Sequence, residues 1–334
     1  MRWQTKRLIQ ALITLFVVVN LSFGLIRALP GGPVSYLRSQ LLRESQFDQA
    51  TLRRISEAYL NVQVDQPLWK QYISYMTSVF QGDLGKSIWY GEPVSDLLVN
   101  AIPWTVFLFS ISIVLSFTIG ILLGSAMAYY EGGQFDVSFS VVSTVSQAIP
   151  YYVVGVLLLY VLGFQLGWFP ISGRYSGDTK IGLNVPFFVD ALRHAALPIA
   201  SVVLTGVGGW ALGMRGNGIR VLGTDYIRVA RLRGLSDSRI ATRYVMKNAI
   251  LPLYTTFLIT FGSVFGGSVI LETIFTYRGL GYYLFQAISA RDYPLMMGCF
   301  ILITSAVLVG ILIGDLTYPM LDPRAEQGDT TETY

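Results

Sequence analysis

Six stretches of the chain lack Asp, Glu, Lys and Arg and are long enough to cross a bilayer: Leu8–Ile26, Leu97–Tyr130, Val137–Gly173, Ala195–Met214, Asn248–Leu271 and Tyr293–Gly314. A spanning helix needs about 20 mostly apolar residues, because the hydrocarbon core is about 30 Å thick and each helical residue rises about 1.5 Å. The second and third stretches exceed one span, so their ends are expected in interface or loop. Pro103 is expected to open the second helix, Pro150 to kink the third from within, and Pro170 to lie beyond it. No internal repeat is visible. The first run follows Arg2, Lys6 and Arg7, as a signal peptide would, but its 19 apolar residues exceed the usual h-region of about 7–15. No small-x-small cleavage site follows, so it reads as a retained anchor.

The pattern predicts an all-α polytopic membrane protein with six transmembrane helices and a mainly helical extracytoplasmic insertion after the first. Its expected divisions are an N-terminal stub and first helix (1–29), the insertion (30–102), a five-helix core (103–320) that includes 215–247, and a C-terminal tail (321–334). Within the insertion, 39–61 is polar, with Leu52, Ile55, Tyr59 and Leu60 at helical spacing. Trp69, Tyr72, Tyr75, Phe80, Trp89 and Tyr90 follow it and suit interface packing.

Composition strengthens this picture. Of 334 residues, 53% are apolar and 13% charged, against about 25% charged in soluble domains. The single Cys299 cannot form an internal disulfide, and with the single His194 it cannot supply a common zinc site. His194 is expected to meet headgroups or backbone near an interface. Gly82-Asp83-Leu84-Gly85-Lys86-Ser87 ends like a phosphate loop, but the required upstream Gly is Phe80 and no strand precedes it. Asp83-Leu84-Gly85 therefore reads as a turn. Residues 310–315 mimic an aspartyl-protease signature, but Leu312 stands where Gly is required. An intramembrane enzyme is disfavoured.

The net charge is +4, and its distribution sets the orientation. Segment 215–247 holds eight basic residues and two acids. The loops around 164–194 and 276–292 hold three and two basic residues. The positive-inside rule puts both termini and 215–247 in the cytoplasm of a cell membrane. In that segment Thr224 or Asp225 is expected to cap a short helix, and Gly234 to take a left-handed C-terminal position. Ser236 is expected to start a second helix with Arg239, Arg243 and Lys247 on one face. Anionic lipid could meet these charges, and a nucleic-acid reader lacks a folded domain to support it. Charge for topology alone does not need a capped helix pair; docking of a cytoplasmic partner explains both features.

Asp225-Tyr226-Ile227-Arg228-Val229-Ala230-Arg231-Leu232-Arg233-Gly234-Leu235-Ser236 resembles the EAA loop of ABC-importer permeases, in particular the dipeptide/oligopeptide family and its first permease subunit type. Other segments resemble it along nearly the whole chain: Arg27–Pro33, Gly82–Ser87 with Pro93-Val94, Leu166–Pro170 with Gly173, Gly266–Phe275 with Gly279-Leu280-Gly281, Arg291–Pro294, and Leu321–Arg324. The chain departs from the general motif at Arg228 and Val229, where the pattern begins with Glu. It also has Met246-Lys247 in place of a closing Leu-Pro, with Leu251-Pro252 later, and Arg278 in place of a Pro.

The resemblance implies a type I importer permease fold and no enzymatic activity or bound cofactor in this chain, with ATP and Mg on partner ATPase subunits. It implies four kinds of partner: a second homologous permease subunit, two cytoplasmic ATPases, an extracytoplasmic substrate-binding protein and membrane lipid, with no nucleic acid. Substrates would be di- or oligopeptides; oligosaccharides, or less readily nickel, are the alternatives. ATPase coupling would rest on Asp225, Arg228, Ala230, Arg231, Arg233, Gly234, Ser236 and Arg239. Glu272, Gly266 and Gly267 are candidates for a path or gate, with close helix packing the competing role for the glycines.

Overall fold

The computed structural model describes residues 3–28, 67–236, 239–262, 264 and 267–321. Most of the predicted insertion, the C-terminal tail and Gly266 lie outside the described residues. Regular structure among the described residues is helical apart from one isolated bridge, Lys86 to Pro93. The helices are α1 (Trp3–Ala28), α2 (Leu68–Phe80), α3 (Val94–Tyr129), α4 (Gln134–Ala148) and α5 (Tyr151–Leu158), which continues as a π-helical segment, Leu159–Gln165. Then come α6 (Val185–Leu222), α7 (Asp225–Leu232), a second π segment (Ile240–Met246), α8 (Leu251–Gly262), α9 (Val269–Ile274), α10 (Leu280–Ser289) and α11 (Tyr293–Leu321).

Among the described residues, three helices are long and apolar enough to cross a membrane: α3, α6 and Tyr293–Ile313 of α11. The pair α4 and Tyr151–Gln165 also qualifies together, bent by 91°. With 38 residues, α6 is about 57 Å long, well beyond a hydrocarbon core of about 30 Å. Its start is built locally: the Asn184 side chain accepts from the Phe187 N–H at 2.9 Å, with Pro186 in the first turn.

Three boundaries differ from the sequence expectation. Pro103 does not open α3 but lies inside it. The helix starts directly after Pro93, and Asp96 sits in its first turn, where an acid is favourable beside the positive helix end. Pro150 breaks the third run rather than kinking it: α4 ends at Ala148 and α5 restarts at Tyr151. The fifth run is not one helix. It divides into Lys247–Ala249, α8 and α9, and its glycines include Gly267 at φ +60.

The chain falls into two compact units. Unit 1 comprises Met1–Thr105, Phe265–Thr273 and Arg278–Leu312. Its core packs Val94, Leu98 and Ala101 of α3 against Leu280, Tyr283 and Ala287 of α10 and Leu295 and Cys299 of α11. A second cluster joins Val19 of α1 to Tyr75 of α2, with Phe23 stacked on Tyr75 at 5.3 Å.

Unit 2 comprises Val106–Val264, Ile274–Tyr277 and Ile313–Tyr334. In it α6 packs along α4 and α5. The approach is close because Gly208 has no side chain: a Cβ there would stand 2.4 Å from the Ser143 carbonyl oxygen.

Candidate functional site

In unit 2, α7 and the π segment form the helix pair at 225–247. Ile227 and Ala230 of α7 pack on Ile240 and Val245, with Val221, Leu222, Leu235 and Tyr244 around them. Gly234 has φ +71. Its N–H donates to Arg231 O at 2.9 Å, and the Leu235 N–H donates to Ala230 O at 3.3 Å. These two bonds define the Schellman ending of a helix, and Leu235 supplies its usual apolar contact. The expected left-handed position is therefore occupied by Gly234.

The start of α7 differs. Thr224 holds the N-cap position, but its hydroxyl donates backward to Val221 O at 2.6 Å and makes no cap. Asp225 is exposed in the first turn, 4.0 Å from Arg228. Ser236 contributes its carbonyl, which accepts from the Ile240 N–H at 3.0 Å; Asp237 lies outside the described residues.

Arg228, Arg231, Arg233, Gly234, Ser236 and Arg239 are exposed, whereas Ala230 is buried. Sequence reasoning missed an outer apolar stripe on α7: Tyr226, Val229 and Leu232 are 42%, 49% and 82% exposed. Their spacing of three puts them on one face, and that spacing was the available signal. Arg231 also borders a cavity of 290 Å³, whose walls include Tyr129, Tyr130, Met214, Gly218 and Val245.

Just before the pair in the chain, Arg215 of α6 binds Asp136 of α4. Its Nε donates to Oδ1 and its Nη2 donates to Oδ2 at 2.8 Å. The Gly132 N–H donates to the same carboxylate at 3.0 Å.

In unit 1, Glu272 is fully buried. The Leu280 N–H donates to Thr105 Oγ1 at 2.8 Å, and that hydroxyl donates to Glu272 Oε1 at 3.0 Å. The Tyr282 N–H donates to Oε2 at 3.0 Å. A Cβ at Gly267 would stand 2.9 Å from Oε1. Glu272 and Gly267 are thus in contact within packed core.

Nearby residues form a second network. Asp292 accepts from the Ser87 hydroxyl, from the Trp89 N–H at 3.0 Å and from the Leu295 N–H at 3.2 Å. Asp83 Oδ1 accepts from the Gly85 N–H at 3.0 Å, and Gly85 has φ +80, so the segment resembling a phosphate loop is a turn. Among the aromatics of this region, Tyr75 is buried and Tyr72 donates to Asn20 Oδ1 at 2.7 Å, while Trp69, Phe80 and Trp89 are exposed.

His194 in unit 2 is buried, with Nδ1 2.9 Å from Asp190 O, so it meets backbone rather than headgroups. No group of three or more His, Cys, Asp or Glu able to hold a metal occurs among the described residues.

Long apolar helices, one of which runs into a basic helix pair with an exposed face, define a multi-pass membrane protein. The family described as "Binding-protein-dependent transport system inner membrane component" matches residues 120–327, and the chain belongs to that family. The oligopeptide transport system permease protein AppB of Bacillus subtilis is 32% identical, over 96% of this chain and 98% of the relative. The di/tripeptide transport system permease protein DppB of Pseudomonas aeruginosa is 31% identical, over 96% and 97%. The dipeptide permease DppB of Lactococcus lactis is 30% identical, over 96% and 97%. The family is the permease component of ABC importers, in which separate subunits hydrolyse ATP and a binding protein carries substrate.

Proposed function

We propose that the chain is a permease subunit of an ATP-driven importer of di- and oligopeptides and forms half of the translocation path with a second, homologous permease. The peptide substrate is carried over from relatives of matching length. Six spans would comprise α1, α3, the broken α4–α5 pair, α6, the 247–274 segment and α11. Both termini and 215–247 face the cytoplasm, and 30–102 lies outside. The divisions at 1–29, 30–102, 103–320 and 321–334 follow from that topology. The chain binds no cofactor; ATP and Mg belong to two ATPase partners.

The observation that carries the coupling role is the two-sidedness of α7. Its inner face, Ile227 and Ala230, packs on the chain, while its outer face leaves Tyr226, Val229 and Leu232 exposed beside Arg228, Arg231 and Arg233. An apolar ridge flanked by guanidinium groups suits a groove on an ATPase subunit, with the apolar side chains as anchors and the cations at the rim. Asp225, Ser236 and Arg239 border this surface, and Ala230 and Gly234 set the helix and its turn. Glu272 and Gly267 belong to a packed gate element rather than to direct substrate contact; Gly266, a candidate for the same gate, lies outside the described residues.

Co-purification in mild detergent tests this reading. The wild type is expected to retain its ATPase, and Leu232→Asp to lose it without change in fold, because Leu232 is 82% exposed. Retention by Leu232→Asp equal to wild type overturns the docking surface. Mass spectrometry of compounds held by the co-purified binding protein tests the substrate: peptides support it, and a sugar or nickel overturns it.

A further inference from the structure

We infer that the Asp136–Arg215 pair is the tie that makes α4 move with α6 when the helix pair is displaced. This rests on the coupling role proposed for 225–247. Arg215 lies seven residues before the end of α6 at Leu222, about two turns from the point where α6 leads into the pair. A push on the pair reaches α6 first, through Val221 and Leu222, which pack on the buried cluster of Ile227, Ala230, Ile240 and Val245. About two turns back along α6, the guanidinium of Arg215 reaches across to α4.

That connection has the geometry of a mechanical joint. Two parallel N–H bonds from Arg215 fix its plane against the carboxylate, the arrangement with the most directional restraint among ion pairs. Asp136 is 1% exposed at its side chain. It also accepts from the Gly132 N–H at 3.0 Å and lies 3.4 Å from the Ser140 hydroxyl. One carboxylate therefore gathers α6, the first turn of α4 and the turn that joins α3 to α4. Gly132 has φ +73, so this turn carries the backbone freedom that a hinge needs.

About two turns along α6 from Arg215, Gly208 lies directly on Ser143 of α4. The two helices are thus held by close packing at one level and by the ion pair at another, which stops α6 from sliding or rotating past α4. The side of the pair facing Tyr129 and Tyr130 is different: the 290 Å³ cavity bordered by Arg231 separates them. Displacement is carried across the joint and absorbed by the void. Asp136 and Arg215 are positioning residues; they touch no substrate.

The test uses the complete importer, with ATPase and binding protein, in liposomes. Spin labels at Val142→Cys and Leu204→Cys, both exposed, report the α4–α6 distance while buried Cys299 stays in place. In the wild type this distance is expected to hold through the ATP cycle. In Asp136→Asn and Arg215→Gln it is expected to become cycle-dependent, and stimulation of ATP hydrolysis by the binding protein is expected to fall about tenfold, with basal hydrolysis retained. A bifunctional thiol cross-link in Asp136→Cys/Arg215→Cys is expected to restore stimulation.

The inference is overturned if the distance stays fixed and stimulation is unchanged in both variants. It is also overturned if stimulation is lost only in proportion to lost assembly and the cross-link restores assembly alone. If the wild type itself shows no binding-protein stimulation, the coupling role of 225–247 falls instead.

Discussion

The end of α7 and the end of α10 close with the same backbone device but are held by different means. At α7, Gly234 donates to Arg231 O and Leu235 to Ala230 O. At α10, Arg291 donates to Ile288 O and Asp292 to Ala287 O, with Arg291 at φ +53. The residue that follows each left-handed position decides the outcome. Leu235 adds an apolar contact to a small cluster, and Arg233, Gly234 and Ser236 around it are exposed. Asp292 turns inward and collects Ser87, Trp89 and Leu295, joining residues 205 apart in the chain. One turn is seated on non-directional packing and can shift; the other is locked by directional bonds. A surface that must respond to a partner suits the first construction, and a fixed wall suits the second.

The sharpest way to break this contrast is to remove the lock. Asp292→Ala would leave the buried Leu295 N–H and Ser87 hydroxyl and the part-buried Trp89 N–H without their acceptor, at a cost of about 2–4 kcal/mol for the set. A large fall in the thermal midpoint of the purified complex is expected. A fall no larger than that of an exposed-site variant would mean the network is not what holds the 82–94 loop.

Arg215→Ala comes next, at about 2–4 kcal/mol. It strands the buried Asp136, although Arg215 keeps 31% of its side-chain surface exposed, which moderates the loss. Thermal unfolding of Arg215→Ala beside Arg215→Lys separates loss of charge from loss of the two-bonded geometry, and Lys is expected to recover only part.

Gly234→Val is expected to cost roughly 1–2 kcal/mol from the left-handed backbone alone, because no atom lies within 4 Å of the added Cβ. Its larger effect is functional: a distorted turn should uncouple transport from ATP hydrolysis. Full transport per ATP in Gly234→Val would mean the pair does not transmit motion.

What the sequence made legible is what is encoded locally. Runs without charge marked the long helices α3, α6 and α11, and Gly234 followed by Leu235 marked the end of α7. Pro150 announced a discontinuity, but a 91° bend depends on what packs against the two halves. The π segment at Ile240–Met246 escaped for a physical reason: helical periodicity assumes bonds four residues apart, whereas π turns bond at five. That wider turn brings Ile240 and Val245 to one buried cluster, positions that an α-helix would splay apart. Glu272 with Thr105, 167 residues away, and Asp136 with Arg215, 79 away, were out of reach because no local pattern pairs residues across such separations. Single residues were misread where two rules competed. Thr224 has the chemistry of a cap, yet its hydroxyl satisfies Val221 of the preceding helix instead.

The smallest expected effect bears most directly on the two turns. Arg291 is exposed, and Asp292 makes its bonds through its own side chain and backbone. Replacing Arg291 by Gly relieves roughly 1 kcal/mol of left-handed strain. It also gives the unfolded chain extra freedom, worth about 0.4–1 kcal/mol in the opposite sense. The two nearly cancel, so Arg291→Gly should change stability by less than about 0.5 kcal/mol. Gly234→Ala adds a Cβ in the same backbone region; the strain of about 1–2 kcal/mol is offset in part by the reduced freedom of the unfolded chain, so a net loss of up to about 1 kcal/mol is expected. Chemical denaturation of both variants in the same detergent provides the comparison. A loss at 291 clearly larger than about 0.5 kcal/mol would mean that the Arg291 side chain itself, and not only the bonds made by Asp292, holds the α10 turn.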